Sequence, residues 1–292
     1  MTVRTALAVV FAALWCAAPA DAGKLKVVAS FSILGDMTAR IAGDRIELKT
    51  LVGPDGDAHV FEPTPADARA VAQAQLVIVN GLNYEPWVER LLKSTKAKAK
   101  VAVASAEVEP LQFGTGTDPH TWQDARSAIA YAENITRALV AIDKPNVEFY
   151  KANAVAYVDE LRRLDAEIRA SFASIPATRR RVITTHDAFA YFGKAYGLEF
   201  IAPLGTSTEE QVSAKEVAAL IVQIKREKIS AVFVENVSDP RLIEQIARET
   251  GAKLGGKLYS DALSTKQGAA PTYIALMRHN AKLLTAAMAQ GF

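Results

Sequence analysis

The chain has four histidines, His59, His120, His186 and His279, and one cysteine, Cys16, close to the amino terminus. Beyond Cys16 no thiolate is available, so a metal site in the rest of the chain must be built from imidazole and carboxylate. Three of the histidines stand where the chain should change direction: in Gly56-Asp57-Ala58-His59, in Asp118-Pro119-His120-Thr121-Trp122 and in Thr184-Thr185-His186-Asp187. A carboxylate, Asp261, stands in a similar place in Tyr259-Ser260-Asp261-Ala262-Leu263. Three imidazoles and one carboxylate close a four-coordinate site with bonds of ~2.0–2.2 Å, a donor set that suits Zn2+. A single loop histidine is more often a surface or capping residue; the weight lies in three of them at equivalent places. His279, between Arg278 and Asn280, reads as a solvated helix residue.

The elements that must carry these residues can be read from the hydrophobic pattern. Short apolar runs at Leu25–Phe31, Ile46–Val52, Leu76–Asn80 and Val101–Ala104 are matched by runs at Val182–Thr185, Phe200–Pro203, Ala231–Glu235 and Leu254–Tyr259. Most show little polar alternation, which is how strands buried on both faces of a parallel sheet read. Helices separate them. Thr64-Pro65-Ala66-Asp67 and Ser213-Ala214-Lys215-Glu216 carry helix-start signals, and Ser238-Asp239-Pro240 opens a helix that Gly251 closes. The fold class expected is α/β, with two lobes, each a four-stranded parallel sheet with helices, joined by one long backbone helix. In open parallel sheets ligands bind beyond the carboxyl ends of the strands. His59 follows the second strand, His120 the fourth, His186 the fifth and Asp261 the eighth, so each lobe would supply two groups.

The joining helix is expected from about Asp143 to Ile175, with Tyr150, Tyr157, Leu161, Leu164, Ile168 and Phe172 on one face and Pro176 beyond its end. At 1.5 Å per residue it would span about 45 Å, stiff enough to limit how far the lobes separate. The boundaries expected are a leader at 1–22, an amino-terminal lobe at 23–142, the helix at 143–175 and a carboxyl-terminal lobe at 176–292. The leader rests on Arg4, the apolar run from Ala6 to Ala18, Pro19 and Ala20-Asp21-Ala22, with Gly23 as the mature start. The apolar run is shorter than the ~20 residues of a membrane span. Trp15 is too large for the position before a lipidated cysteine, so Cys16 is expected to leave with the leader. Lys and Arg exceed Asp and Glu by 34 − 32 = 2. So small an excess argues against a nucleic-acid partner.

Six segments, in order, resemble the zinc- and manganese-binding solute-binding proteins of bacterial ABC importers, the group called cluster A-I. They are Ser30-Phe31-Ser32-Ile33-Leu34-Gly35-Asp36, Asp57-Ala58-His59-Val60-Phe61-Glu62-Pro63-Thr64-Pro65, Asn80-Gly81-Leu82-Asn83-Tyr84-Glu85-Pro86-Trp87, Asp118-Pro119-His120-Thr121-Trp122, His186-Asp187-Ala188-Phe189-Ala190-Tyr191-Phe192 and Tyr259-Ser260-Asp261-Ala262-Leu263. The resemblance implies a metal held between the lobes by His59, His120, His186 and Asp261. Manganese members commonly have glutamate where His186 stands, which moves the expectation toward Zn2+, with Mn2+ as the alternative. Many zinc members carry a long His- and acid-rich loop before the second ligand; here that stretch is only Phe113-Gly114-Thr115-Gly116-Thr117-Asp118.

The function expected is periplasmic capture of Zn2+ and its delivery to an ABC-type permease in the inner membrane, by a monomer that is not an enzyme. A periplasmic metallochaperone is a further partner to consider. The alternatives are the same scaffold carrying manganese or iron or serving as a surface adhesin, and a secreted zinc hydrolase. Against the hydrolase, all four positions can be filled by protein and there is no H-E-x-x-H. Asp57, Asp118, Asp124 and Asp187 read as turn or cap residues, and Glu209 and Glu210 as solvated loop charge. Phe61, Trp122, Phe189 and Tyr191 read as packing that keeps water from the site.

Overall fold

The computed structural model describes residues 23–290 apart from 211 and 230. The leader expected at 1–22, with Cys16, lies outside the described residues. The first sheet is built from β1 (Leu25–Phe31), β2 (Ile46–Val52), β3 (Leu76–Val79) and β4 (Lys100–Val103), in the order β2-β1-β3-β4 and parallel throughout. Its crossovers are α1 (Ser32–Ala42), α2 (Pro65–Gln73) and α3 (Pro86–Thr95). A two-stranded hairpin, β5 (Gln112–Phe113) and β6 (Gly116–Thr117), forms the short stretch before His120. It turns through Gly114, whose φ of 54° is left-handed. The helices α4 (Ala125–Ile142) and α5 (Val147–Ala173) follow.

The second sheet contains β7 (Arg181–Ile183), β8 (Glu199–Ile201), β9 (Ala231–Glu235) and β10 (Lys253–Leu258), in the order β10-β9-β7-β8 and also parallel. Its helices are α6 (Ala190–Tyr196), α7 (Ala214–Glu227), α8 (Arg241–Thr250) and α9 (Tyr273–Gln290). The helix starts fall where the sequence signals them. Thr64 and Ser213 each form a reciprocal capping box, with Asp67 and Glu216 respectively. Gly251, at φ 76°, ends α8 in the left-handed conformation.

The long helix is shorter at both ends than 143–175. Lys144–Asn146 forms a separate 3-10 turn, and Asp143 accepts hydrogen bonds from Asn146 Nδ2 and Tyr150 Oη instead of starting the helix. The 27 residues of α5 span about 40 Å. Tyr150, Tyr157, Leu161, Leu164, Ile168 and Phe172 are all buried, on the face the spacing indicates. This face packs against α1 and α4 of the first unit and α6 and α9 of the second. One hydrophobic core therefore runs from the first sheet, along α5, to Phe189, Phe192, Tyr273 and Leu276 of the second unit. A separate core lies around Ile224, Val232 and Ile246, beneath α7 and α8. No helix among the described residues is long and apolar enough to cross a membrane.

Leu164 is fully buried in this shared core. Leu164→Ala is expected to lower the stability of the metal-free chain by ~2–5 kcal/mol. Denaturant unfolding followed by circular dichroism measures it.

Candidate metal centre

The residues of the cluster lie on the segments that follow sheet strands, His59 after β2, His120 after β4 and the β5–β6 hairpin, His186 after β7 and Asp261 after β10, and the structure brings all four together at the boundary between the two sheets. One ligand atom from each of His59, His120, His186 and Asp261 lies within 4.8 Å of every other. The Nε2 atoms of His59, His120 and His186 are 3.3, 3.6 and 3.2 Å from the Asp261 carboxylate. Four donors at ~2.0–2.1 Å around one tetrahedral centre stand about 3.3 Å apart. The two distances that share Oδ2, to His59 and to His186, already have nearly that length, while His120 stands nearest to Oδ1. His120, His186 and Asp261 are fully buried. Three Nε2 atoms and both Asp261 oxygens are buried with no hydrogen-bond partner. Unpartnered polar atoms inside a protein are rare and costly. Five of them facing one another make a cage whose missing partner is a cation.

Neighbouring groups hold the cluster. The Asp118 carboxylate accepts 2.7 and 2.9 Å hydrogen bonds from Nδ1 and the backbone N–H of His120. Beyond its turn role, it thus aims Nε2 at the centre. The Pro119 carbonyl is fixed by Asn80 Nδ2 at 3.0 Å. Glu235 stands behind His186 as an ion-pair partner, without the side-chain hydrogen-bond geometry that joins Asp118 to His120. Its Oε2 is 2.6 Å from His186 Nδ1, and its Oε1 accepts from the backbone N–H groups of Thr185 and His186. The Asp57 carboxylate accepts a 2.8 Å bond from the His59 backbone, while the Trp87 indole binds the Ala58 carbonyl. The Asp261 loop belongs to the second unit, yet Trp122 and Gln123 of the first donate to the Ser260 carbonyl at 2.9 and 2.7 Å.

Sequence reasoning missed Glu235. The available signal was a lone acid ending an apolar strand, Ala231-Val232-Phe233-Val234-Glu235, at the edge where ligands gather. Trp122 does wall the site, edge-on to the His120 ring at 5.2 Å. Tyr84, buried edge-on to His59 at 4.8 Å, is a second wall. Phe61 and Phe189 pack instead on Trp87 and Phe200. Tyr191 bonds across the boundary to Leu111 and to the Asp118 carbonyl. Asp124 caps α4 through the Arg126 N–H, and the Glu210 carboxylate closes its own loop on Gly205. His279 stands apart from the cluster. It is half-buried rather than solvated, with Nε2 on the Lys257 carbonyl at 2.9 Å.

Two units with a buried imidazole–carboxylate cluster between them offer a place that could hold a metal ion. The chain belongs to the ZnuA family, zinc-uptake complex component A, periplasmic, whose sequence model matches residues 27–287. This family is a transporter component, not an enzyme. The chain is 37% identical over 265 residues to the iron-binding protein YfeA of Yersinia pestis, covering 89% of this chain and 85% of that one. It is 33% identical over 271 residues to the manganese-binding lipoprotein MntA of Halalkalibacterium halodurans, covering 92% and 90%. The periplasmic zinc-binding protein TroA of Treponema pallidum superposes with a TM-score of 0.87 at 28% identity, covering 91% of this chain and 99% of that one. The names of these three proteins carry three different metals.

The electrostatics of the cage are those of a site waiting for a cation. Burial alone pushes the His186 imidazole down, but the Glu235 and Asp261 carboxylates outweigh it and lift its pKa well above 6.5. Burial pushes Asp261 up, and the surrounding imidazoles, His186 first, bring it well below 3.8. His186 therefore stabilises the metal-free fold fully below its unfolded pKa of ~6.5, and this contribution is lost as pH rises through the elevated folded value. Asp261 contributes above ~3.8 and loses that contribution as pH falls toward its depressed value. The expected outcome for metal-free protein is a stability that declines above pH ~6.5. Glu235→Gln, which removes the largest upward push on His186, flattens that decline. Denaturant midpoints across pH 6–9, with a metal chelator present, measure both.

Proposed function

We propose that this protein captures Zn2+ between its two units, with His59, His120, His186 and Asp261 as the four ligands. It then hands the metal to an inner-membrane permease driven by an ATPase. The observation that carries this reading is the cage of five buried, partnerless donor atoms, three nitrogens and two oxygens, with edges of 3.2–3.6 Å around Asp261. Nitrogen-rich, four-coordinate sites favour zinc over manganese, which prefers oxygen donors. All four positions are filled by protein, as in sites that hold a metal rather than use it on a bound water. His59 and His120 follow strands of the first sheet, and His186 and Asp261 follow strands of the second. Because the ligands divide between the units, moving one unit against the other strains the shell, which gives docking on the permease a way to release the cargo. The family's description and the leader read in residues 1–22 both support a periplasmic location.

One feature supports a second reading, the same capture of manganese or iron. The two Asp261 oxygens face different imidazoles, Oδ2 toward His59 and His186 and Oδ1 toward His120, so the carboxylate can offer both at once. A fifth, oxygen donor suits harder cations. YfeA and MntA, named for iron and manganese, add weight to it.

The deciding experiment is the metal content of untagged protein purified from its secretory compartment without chelator, read by plasma mass spectrometry. It is paired with calorimetric titration of Zn2+ and Mn2+ into stripped protein. About one zinc per chain, and a loss of zinc affinity of at least ~100-fold in a folded His120→Ala variant, is the expected result. Manganese or iron at that level selects the second reading. Unchanged affinity in His120→Ala removes the four-residue site altogether.

A further inference from the structure

The three imidazoles are not held alike. His120 and His186 each have a carboxylate on Nδ1, Asp118 at 2.7 Å and Glu235 at 2.6 Å. Among the described residues His59 has no carboxylate within ion-pair distance except Asp261, at the centre itself. It is also the only one of the four whose side chain keeps some exposure, 6% against 0% for the others. A cleft of about 440 Å³ at the boundary between the units is lined by His59 and by none of the other three. Tyr84 and Thr117 of the first unit and Ser207 and Glu209 of the second complete its wall. A second cleft, of about 510 Å³, reaches Asp57, Thr185 and Thr208 but touches none of the four. The loop at 204–210 divides the two clefts, since Thr206, Ser207 and Glu209 face one while Leu204 and Thr208 face the other.

This loop belongs to the second unit, where Leu204 N–H donates to the Thr185 carbonyl and the Gly205 carbonyl accepts from Asp187 N–H. Among the described residues it makes one hydrogen bond to the first unit: Thr208 Oγ1 donates to Asp57 Oδ2 at 2.6 Å. The other oxygen of that carboxylate, Oδ1, accepts the His59 backbone N–H. One carboxylate thus ties the position of His59 to the closure of the two units.

We infer that His59 is the ligand that leaves first and arrives last, that the cargo passes the mouth beside it, and that Thr208 is the positioning residue that latches it in place. This rests on the four-ligand reading above. Closing the units seats the Thr208 hydroxyl on Asp57, which sets the backbone at His59 and completes the cage. Opening them breaks that bond and frees the one imidazole that lacks a carboxylate to hold it. His120 and His186 stay oriented in their own units, each by its own acid.

The test is the rate at which zinc-loaded full-length protein loses metal to an excess of a chromophoric chelator, followed by stopped flow. Thr208→Val is expected to release zinc at least ~10-fold faster, the factor carried by one hydrogen bond to a charged group. The association rate should change little, and Thr208→Ser should restore slow release. In a His59→Ala background the latch has no ligand to hold, so Thr208→Val should add nothing there. Release from Thr208→Val at the wild-type rate, or an equal acceleration with and without His59, overturns the latch. The two readings fail separately. Full zinc binding by His120→Ala removes the site, whereas lost binding in that variant beside an unaltered Thr208→Val removes only the latch.

Discussion

The arrangement turns on one buried carboxylate. Asp261 is fully enclosed, both of its oxygens lack a hydrogen-bond donor, and three imidazole nitrogens surround it at 3.2–3.6 Å. A charge in such a place must be compensated by another charge or by a metal. No single strand or helix could bring three compensating groups to one point. The chain does so by ending strands of two separate sheets at a common boundary and letting the loops beyond them converge. The Ser260 carbonyl beside the acid is held from the opposite unit by Trp122 and Gln123, and the Leu263 N–H by Ser32 Oγ. The position of Asp261 is therefore a property of both units together.

That dependence explains why the space between the units is packed. A protein that had to open widely would keep its boundary wet and polar. Here a continuous apolar core crosses the boundary, and α5 lies along both units with its buried face committed to each. Tyr273 Oη on the Trp122 carbonyl and Tyr273 N–H on Asp36 tie α9 to the first unit. Such an interface gives little for small displacements, because dense packing tolerates few intermediate arrangements. The side of the boundary near His59 is built differently. Two clefts lie there, and among the described residues the loop at 204–210 crosses with a single side-chain bond. Freedom concentrates where the packing is thin.

Much of this was legible in the residues, and what was not has a common cause. Strands ending before His59, His120, His186 and Asp261 follow from short apolar runs and the turn residues after them. Helix starts at Thr64 and Ser213 follow from local capping chemistry, which depends only on residues three apart. Glu235 was not legible because its partner is 49 residues away, on a strand whose neighbour cannot be read from chain order. The sheet places β9 beside β7 with Val232 opposite Ile183. Three residues further on, at the end of β9, Glu235 Oε1 accepts the backbone N–H of His186. The start of α5 was misplaced for a nearer reason. Asp143 and Pro145 are both good first-turn residues, and the choice between a helix start and a 3-10 turn depended on Tyr150 reaching back to the Asp143 carboxylate.

The same second layer bears on the choice of metal, which ligand identity alone does not settle. Divalent ions rank by the Irving–Williams order at almost any nitrogen-rich site, so zinc outcompetes manganese unless geometry forbids it. A site meant to exclude zinc needs room for more than four donors and a carboxylate free to chelate. In this chain Ser260 and Leu263 pin the loop on either side of Asp261, and acids fix two of the three imidazoles from behind. On the four-ligand reading proposed above, the hold on Asp261, His120 and His186 would favour a compact four-donor shell. His59, the one imidazole without an acid behind it, is where that shell can give way.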